Sequence, residues 1–279
     1  MLIRTSRTKP LTGVYLNRAH PLSRNLLGAW LMNSPGGASY DLVNRSRIDH
    51  NGGVAWTSNA RGIAARYNGS STYSETPYTF QELNGLSQVT FSAWVFRISG
   101  TNFDGIITRS TNGSIGLELL LSGSIAGIDD FYFRASPAAG SARVATSDNC
   151  AVANRWLHVV GVFDGTLTDN PSRGKLYVDG VLKTVTQTGT FPATTATVSG
   201  RGIRFGRAEY GAGANNDYFN GLIDLPMIWT RALSPEEIKQ LYGNPYQILH
   251  TQGQHPSLMN HLTASGGIFG NINNPILFG

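Results

Sequence analysis

Apolar residues recur along this chain in short runs separated by turn-forming residues. Residues 26–33 (LLGAWLMN), 63–67, 88–99 (QVTFSAWVFRIS), 106–109, 116–122, 130–135, 143–146 and 156–163 (WLHVVGVF) each read as a strand. Runs of this length, rich in β-branched and aromatic residues and bounded by Gly, Asn, Asp and Pro, fit pleated sheet. Residues 175–178 and 181–185 flank Asp179-Gly180, which predicts a β-hairpin with a type I′ turn. Residues 41–53 read as polar loop, and a Gly/Asn-rich loop over 210–217 follows a strand over 202–209. Residues 218–242 (YFNGLIDLPMIWTRALSPEEIKQLY) are different. Their first half is apolar at consecutive positions, which predicts a strand covered on both faces. Their second half starts a helix: Ser234 caps, Pro235 takes the first position, Glu237 closes a capping box and Gly243 stops it.

Composition agrees with many short strands and tight turns, with 33 glycines and only 14% charged residues. The chain has 279 residues and 41% hydrophobic content, enough for a sizeable core. The single cysteine, Cys150, excludes an intrachain disulfide. No apolar run marks a secretory signal or a membrane span, so synthesis in a reducing cytoplasm and no membrane partner are expected.

Charge is unevenly placed. Lys and Arg total 22 and Asp and Glu 17, a net +5. Arg4, Arg7, Lys9, Arg18 and Arg24 all precede the first acid, Asp41, so that surplus lies entirely in the amino-terminal stretch. Residues 240–279 carry no charged side chain, yet Ile268, Phe269, Ile276, Leu277 and Phe278 recur among Gly and Asn. A freely solvated tail would be more charged and less apolar. The expected organisation is a basic arm over 1–25, a sandwich over 26–243 and an uncharged arm over 244–279. Arg4, Arg7, Lys9, Ile268, Phe269, Ile276, Leu277 and Phe278 are the expected assembly contacts. Nucleic acid is a poor fit, because the basic stretch lacks interleaved aromatics and a recognised motif.

The phrases FSAWV (91–95), WLHVVGVFDG (156–165), KLYVDGVL (175–182), IRFGR (203–207) and residues 219–242 resemble, in order and spacing, the laminin-G-like, concanavalin A-type family. That resemblance implies an all-β fold: a jelly-roll-like sandwich of two antiparallel sheets with one short carboxy-terminal helix, here with extended terminal arms. It also implies that the first strand (26–33) lies beside the last (222–229). Residues 20–33 and 241–249 resemble bacteriophage-encoded members of the family. The chain departs from the family where YNGSSTY (67–73) replaces an aspartate-rich phrase, and where Asp224 lacks a second aspartate.

Catalytic chemistry is hard to find. A glycosidase on such a sheet needs two carboxylates flanking the scissile bond; Glu118 stands alone in its strand, and Asp129-Asp130 has no partner two residues on. No nucleophile elbow, zinc spacing or phosphate loop occurs. No cofactor is expected. Calcium is the one plausible ion, with Asp164, Asp217 and Asp224 on or near loops as its candidate ligands. Tyr73, Tyr78, Tyr210 and Tyr218 are candidates to stack on sugar rings. Two functions follow. The first is a non-catalytic virion structural protein of a phage, made in the host cytoplasm, a capsid decoration or tail-associated protein. Its arms would hold it to the major capsid protein, other virion proteins or copies of itself. The alternative is a carbohydrate-binding, lectin-like adhesion module for surface glycans, assisted by calcium.

Overall fold

A computed structural model describes residues 9–10, 13–34, 39–100, 103–111, 115–125, 128–137, 142–210 and 215–251. The strands form two antiparallel sheets packed face to face, as the sequence predicts. One sheet has nine strands, ordered Val185–Thr188, Arg143–Thr146, Ile128–Ser136, Ile115–Ile125, Asp104–Thr111, Arg204–Phe205, Tyr73–Glu75, Arg47–Asn51 and Ser39–Tyr40. The other runs Val181–Leu182, Gly174–Val178, Trp156–Asp164, Gln88–Ser99, Asn220–Trp229, Gly62–Asn68 and Ala55–Asn59, with Leu26–Ala29 also joined to Asn220–Trp229.

Alternation along each strand decides what fills the space between the sheets. Phe91, Val95, Val159 and Ile223 from one sheet meet Leu119, Phe131, Phe133 and Phe205 from the other in one continuous core. The opposite face of the eight-stranded sheet is covered too. Val160, Val162, Leu225, Met227 and Trp229 pack there against Ile238 and Leu241 of the helix Pro235–Gly243, and against Leu22, Tyr246 and Ile248 from the flanking segments. This explains why Asn220–Trp229 is apolar at nearly every position. Leu225, in the left-handed region at φ 45°, sits at a register shift between Asp224 and Met227. That shift lets one strand pair with Gly62–Asn68 in its first half and with Leu26–Ala29 in its second. Ala29 lies opposite Met227, so the first and last long apolar segments are neighbours, as expected from the resemblance. The hairpin turn is type I′, with Asp179 and Gly180 at φ 51° and 78°.

Two loop expectations change. Residues 41–53 contain the strand Arg47–Asn51, whose outward face is polar and therefore resembles loop in sequence. Residues 210–217 contain a strand: Asn215–Tyr218 pairs with Arg207–Tyr210, and this ribbon lies against Asp104–Thr111 of the nine-stranded sheet. Among the described residues, no helix is long and apolar enough to cross a membrane.

Candidate functional site

The outward face of the nine-stranded sheet gathers polar and aromatic side chains at one edge. Asp49 pairs with Glu75 and Asn51 with Tyr73 across two adjacent strands, so all four side chains share one face. The intervening His50 and Ser74 point inward: the His50 ring bonds the Ser74 hydroxyl at 2.8 Å, and Tyr67 from the other sheet meets the same hydroxyl at 2.9 Å. Arg204, paired with Glu75 from the next strand, donates to its carboxylate at 3.0 Å, and Arg47 lies 2.6 Å from Asp49. Asp49, Asn51, Tyr73 and Glu75, together with Thr76, Pro77, Thr79, Gly200 and Gly202, line an open cleft of about 270 Å³.

The cleft walls are braced from below. Asn68 Oδ1 accepts from the backbone N–H of Ser70, Ser71 and Thr72 at 2.9, 2.9 and 3.2 Å, which fixes the turn leading into Tyr73. Thr76 N donates to the Ile203 carbonyl, and Ile203 N donates to the Thr76 hydroxyl, both at 2.9 Å. Gly202 is needed at this contact, because a Cβ there would lie 1.9 Å from the Thr76 carbonyl oxygen. Arg109, fully buried, donates to the Thr79 carbonyl at 2.9 Å, the Val198 carbonyl at 2.8 Å and Asn84 at 2.9 Å. Burial holds its guanidinium down at about 10.

Two of the four candidate tyrosines meet at this edge. Tyr73 and Tyr218 rings are 6.3 Å apart, and the Arg207 guanidinium lies 4.8 Å from the first and 5.6 Å from the second. Tyr78 turns away: its hydroxyl donates to Glu82 at 2.5 Å and its ring stands edge-on to Phe80. Tyr210 lies opposite Asn215 in the covering ribbon.

The three aspartates assigned to calcium do not converge. Asp164 pairs with Gln88 and Asp224 with Trp94, six positions apart on the same strand, or roughly 20 Å. Asp164 accepts from Thr166 N at 3.1 Å and from its hydroxyl at 2.5 Å, which is turn chemistry. Asp217 belongs to the ribbon on the other sheet. Burial, with Asp104 and Glu118 nearby, pushes its carboxyl up to about 6. Asp224 is fully buried and serves cations of the chain itself: it pairs with Lys9, lies 3.5 Å from Arg61, and accepts from the Tyr246 hydroxyl at 3.0 Å. Among the described residues, no three His, Cys, Asp or Glu side chains are grouped to hold a metal.

Lys9 likewise serves the chain itself and is not an assembly contact. It is 2% exposed, donating to the Ile63 carbonyl at 2.5 Å and the Met32 carbonyl at 3.2 Å, and so is not free to contact another molecule. Val14–Leu16 pairs with Leu249–Thr251, and Val14, Leu16 and Leu249 pack against the apolar cluster on the eight-stranded sheet, so parts of both arms lie on the sandwich. Arg4, Arg7, Ile268, Phe269, Ile276, Leu277 and Phe278 lie outside the described residues. Glu118 is fully buried, and its carboxylate accepts from Ser110 at 2.6 Å and from Arg134 at 2.5 Å.

Asp49, Asn51, Glu75 and Arg204 escape the sequence reading. For Asp49 and Asn51 the signal is the alternation of polar residues at 47, 49 and 51 about the buried Ile48, a strand pattern blurred because the next inward residue, His50, is polar.

This architecture defines a lectin-type sandwich. A family description, the concanavalin A-like lectin/glucanases superfamily (Laminin_G_3), matches residues 68–239, more than half of the chain. The chain belongs to that superfamily. No curated protein matches it. Among solved structures, it is similar to domain 4 of AbnA, a GH43 extracellular arabinanase from Geobacillus stearothermophilus, in complex with arabinotriose. That likeness has 19% identity and a TM-score of 0.56, over 78% of this chain and 98% of the domain. It is also similar to a botulinum neurotoxin type C structure, described for cell entry through two ganglioside molecules, at 15% identity and TM-score 0.58 over 79% of this chain and 51% of that one. The binding domain of Paraclostridial Mosquitocidal Protein 1 is similar at 17% identity and TM-score 0.57, over 81% and 53%. At these identities the likeness is one of fold, and the chain spans about half the length of the toxin chains.

Proposed function

We propose that the chain is a non-catalytic carbohydrate-binding module whose binding site is the cleft at Tyr73. The observation that carries this reading is the row of outward side chains, Asp49, Asn51, Tyr73 and Glu75, on two adjacent strands. A sugar presents an apolar ring face and a rim of hydroxyls. An aromatic ring beside an amide and two carboxylates answers both, on a sheet that is already rigid. Similarity to an arabinanase domain bound to arabinotriose supports the same class of ligand.

Catalysis is not part of the proposal. Asp49 and Glu75 each face a guanidinium, the opposite of the apolar pocket that keeps a glycosidase's general acid protonated. The virion-anchoring reading draws on Ile268, Phe269, Ile276, Leu277 and Phe278, which lie outside the described residues, whereas the cleft is built from described ones.

A glycan array followed by calorimetric titration tests the proposal. At least one oligosaccharide binds, and Tyr73→Ala weakens it roughly tenfold, about 1.4 kcal/mol, with unchanged melting temperature. An array without a binder, or an unchanged affinity in the variant, sinks the proposal.

A further inference from the structure

A second cleft, of about 370 Å³, opens on the opposite face of the sandwich, lined by Arg61, Trp94, Tyr242, Gly243 and Pro245. Asp224, Trp94 and His158 stand side by side on three adjacent strands and share this face. The Arg61 guanidinium lies 3.6 Å from the Trp94 ring centroid. Trp94 in turn stacks with Tyr242 at 5.7 Å and 19°, and Tyr242 is 40% exposed at the end of the helix. The result is an aromatic floor with an arginine at one end.

The charge at that end does not balance. Lys9 and Arg61 contribute two positive charges and Asp224 one negative charge, which leaves +1. Lys9 takes the closer share of Asp224. Arg61 Nε approaches the same carboxylate only at 3.5 Å and Nη2 the Tyr246 hydroxyl only at 3.4 Å, and Nε, buried, has no hydrogen-bond partner among the described residues. His158, fully buried and bonded to Ser92 at 2.9 Å, adds no charge, since burial and then Arg61 hold it neutral. A partly buried guanidinium with spare donors is a site for a carboxylate. The exposed ring of Tyr242 covers only one side of a ligand. A sugar tolerates this, because its hydroxyl edge stays in water, whereas an apolar acid does not.

We propose that this cleft binds an acidic sugar residue, a uronate or sialate, with its ring face on Tyr242 and its carboxylate on Arg61. The site shares no residue with the cleft at Tyr73 and stands or falls independently of it.

The test uses the full chain and two probes, methyl glucuronide as its sodium salt and the neutral methyl glucoside, followed by tryptophan fluorescence and by amide NMR shifts. Glucuronide is expected to perturb the Trp94 signal and to bind at least tenfold more tightly than the glucoside. Tyr242→Ala and Arg61→Gln each lose at least tenfold in the affinity read from the Trp94 signal, and Arg61→Lys retains part of it. Tyr242 is exposed, so its variant reports on binding even if Arg61→Gln lowers stability. Equal affinity for the two probes, glucuronide shifts that leave Trp94 and Tyr242 unmoved, or no loss in Tyr242→Ala overturns the proposal.

Discussion

Asp224 shows how one carboxylate can organise a surface. It sits on the outward side of a central strand, buried, with Lys9 from the amino-terminal segment, Arg61 from a hairpin turn and Tyr246 from beyond the helix around it. Removing one member of such a cluster strands the remaining charges in low dielectric. Asp224→Asn is therefore expected to cost about 3–5 kcal/mol, read as a lower denaturation midpoint. A loss below about 1 kcal/mol would mean that the cluster is solvated. Asp217 acts in the opposite sense. Burial first, then Asp104 and Glu118, hold its carboxyl up at about 6, against about 3.9 in an unfolded chain. Between these values the folded chain binds more protons than the unfolded one, so its contribution to stability is full below about pH 4 and lost as pH rises through about 6. Asp217→Asn should therefore melt higher than the parent at pH 8, by a margin that shrinks towards pH 4. A margin independent of pH contradicts this.

At the scale of elements, the helix Pro235–Gly243 was the most legible piece of the chain. Ser234 Oγ accepts from Glu237 N at 3.3 Å while the Glu237 carboxylate accepts from Ser234 N at 2.9 Å, the reciprocal capping box read from the sequence. Arg231 adds two bonds of 2.7 Å to the same carboxylate. Ser234→Ala is expected to lower stability by about 1 kcal/mol in chemical denaturation, with the strands intact. The Asp179-Gly180 hairpin and the doubly covered strand Asn220–Trp229 were legible for similar local reasons: a turn that demands positive φ, and an apolar run too continuous for one buried face. The cleft was not legible. Tyr73 could be named, but Asp49, Asn51 and Glu75 reach it through a register between two short strands, and their polarity made one of those strands look like loop. The role of Asp224 is hidden in the sequence for a related reason: no local pattern tells that Lys9, 215 residues away, supplies its counter-charge.

For the whole molecule, two sheets give two usable outward faces. One is covered by the helix and parts of the terminal segments, which leaves the Arg61–Tyr242 cleft at its margin. The other is covered in part by the ribbon of Arg207–Tyr210 and Asn215–Tyr218, with the Tyr73 cleft beside it. The ribbon brings Tyr218 and Arg207 to Tyr73, so the second half of the chain completes a site begun in the first. The most direct measurement is a crystal structure of the chain with the tightest oligosaccharide from a glycan array. A sugar ring is expected against Tyr73, with its hydroxyls bonded to Asn51 and to Asp49 or Glu75. A ligand seated elsewhere on the sandwich, with the Tyr73 cleft empty at saturating concentration, would contradict it.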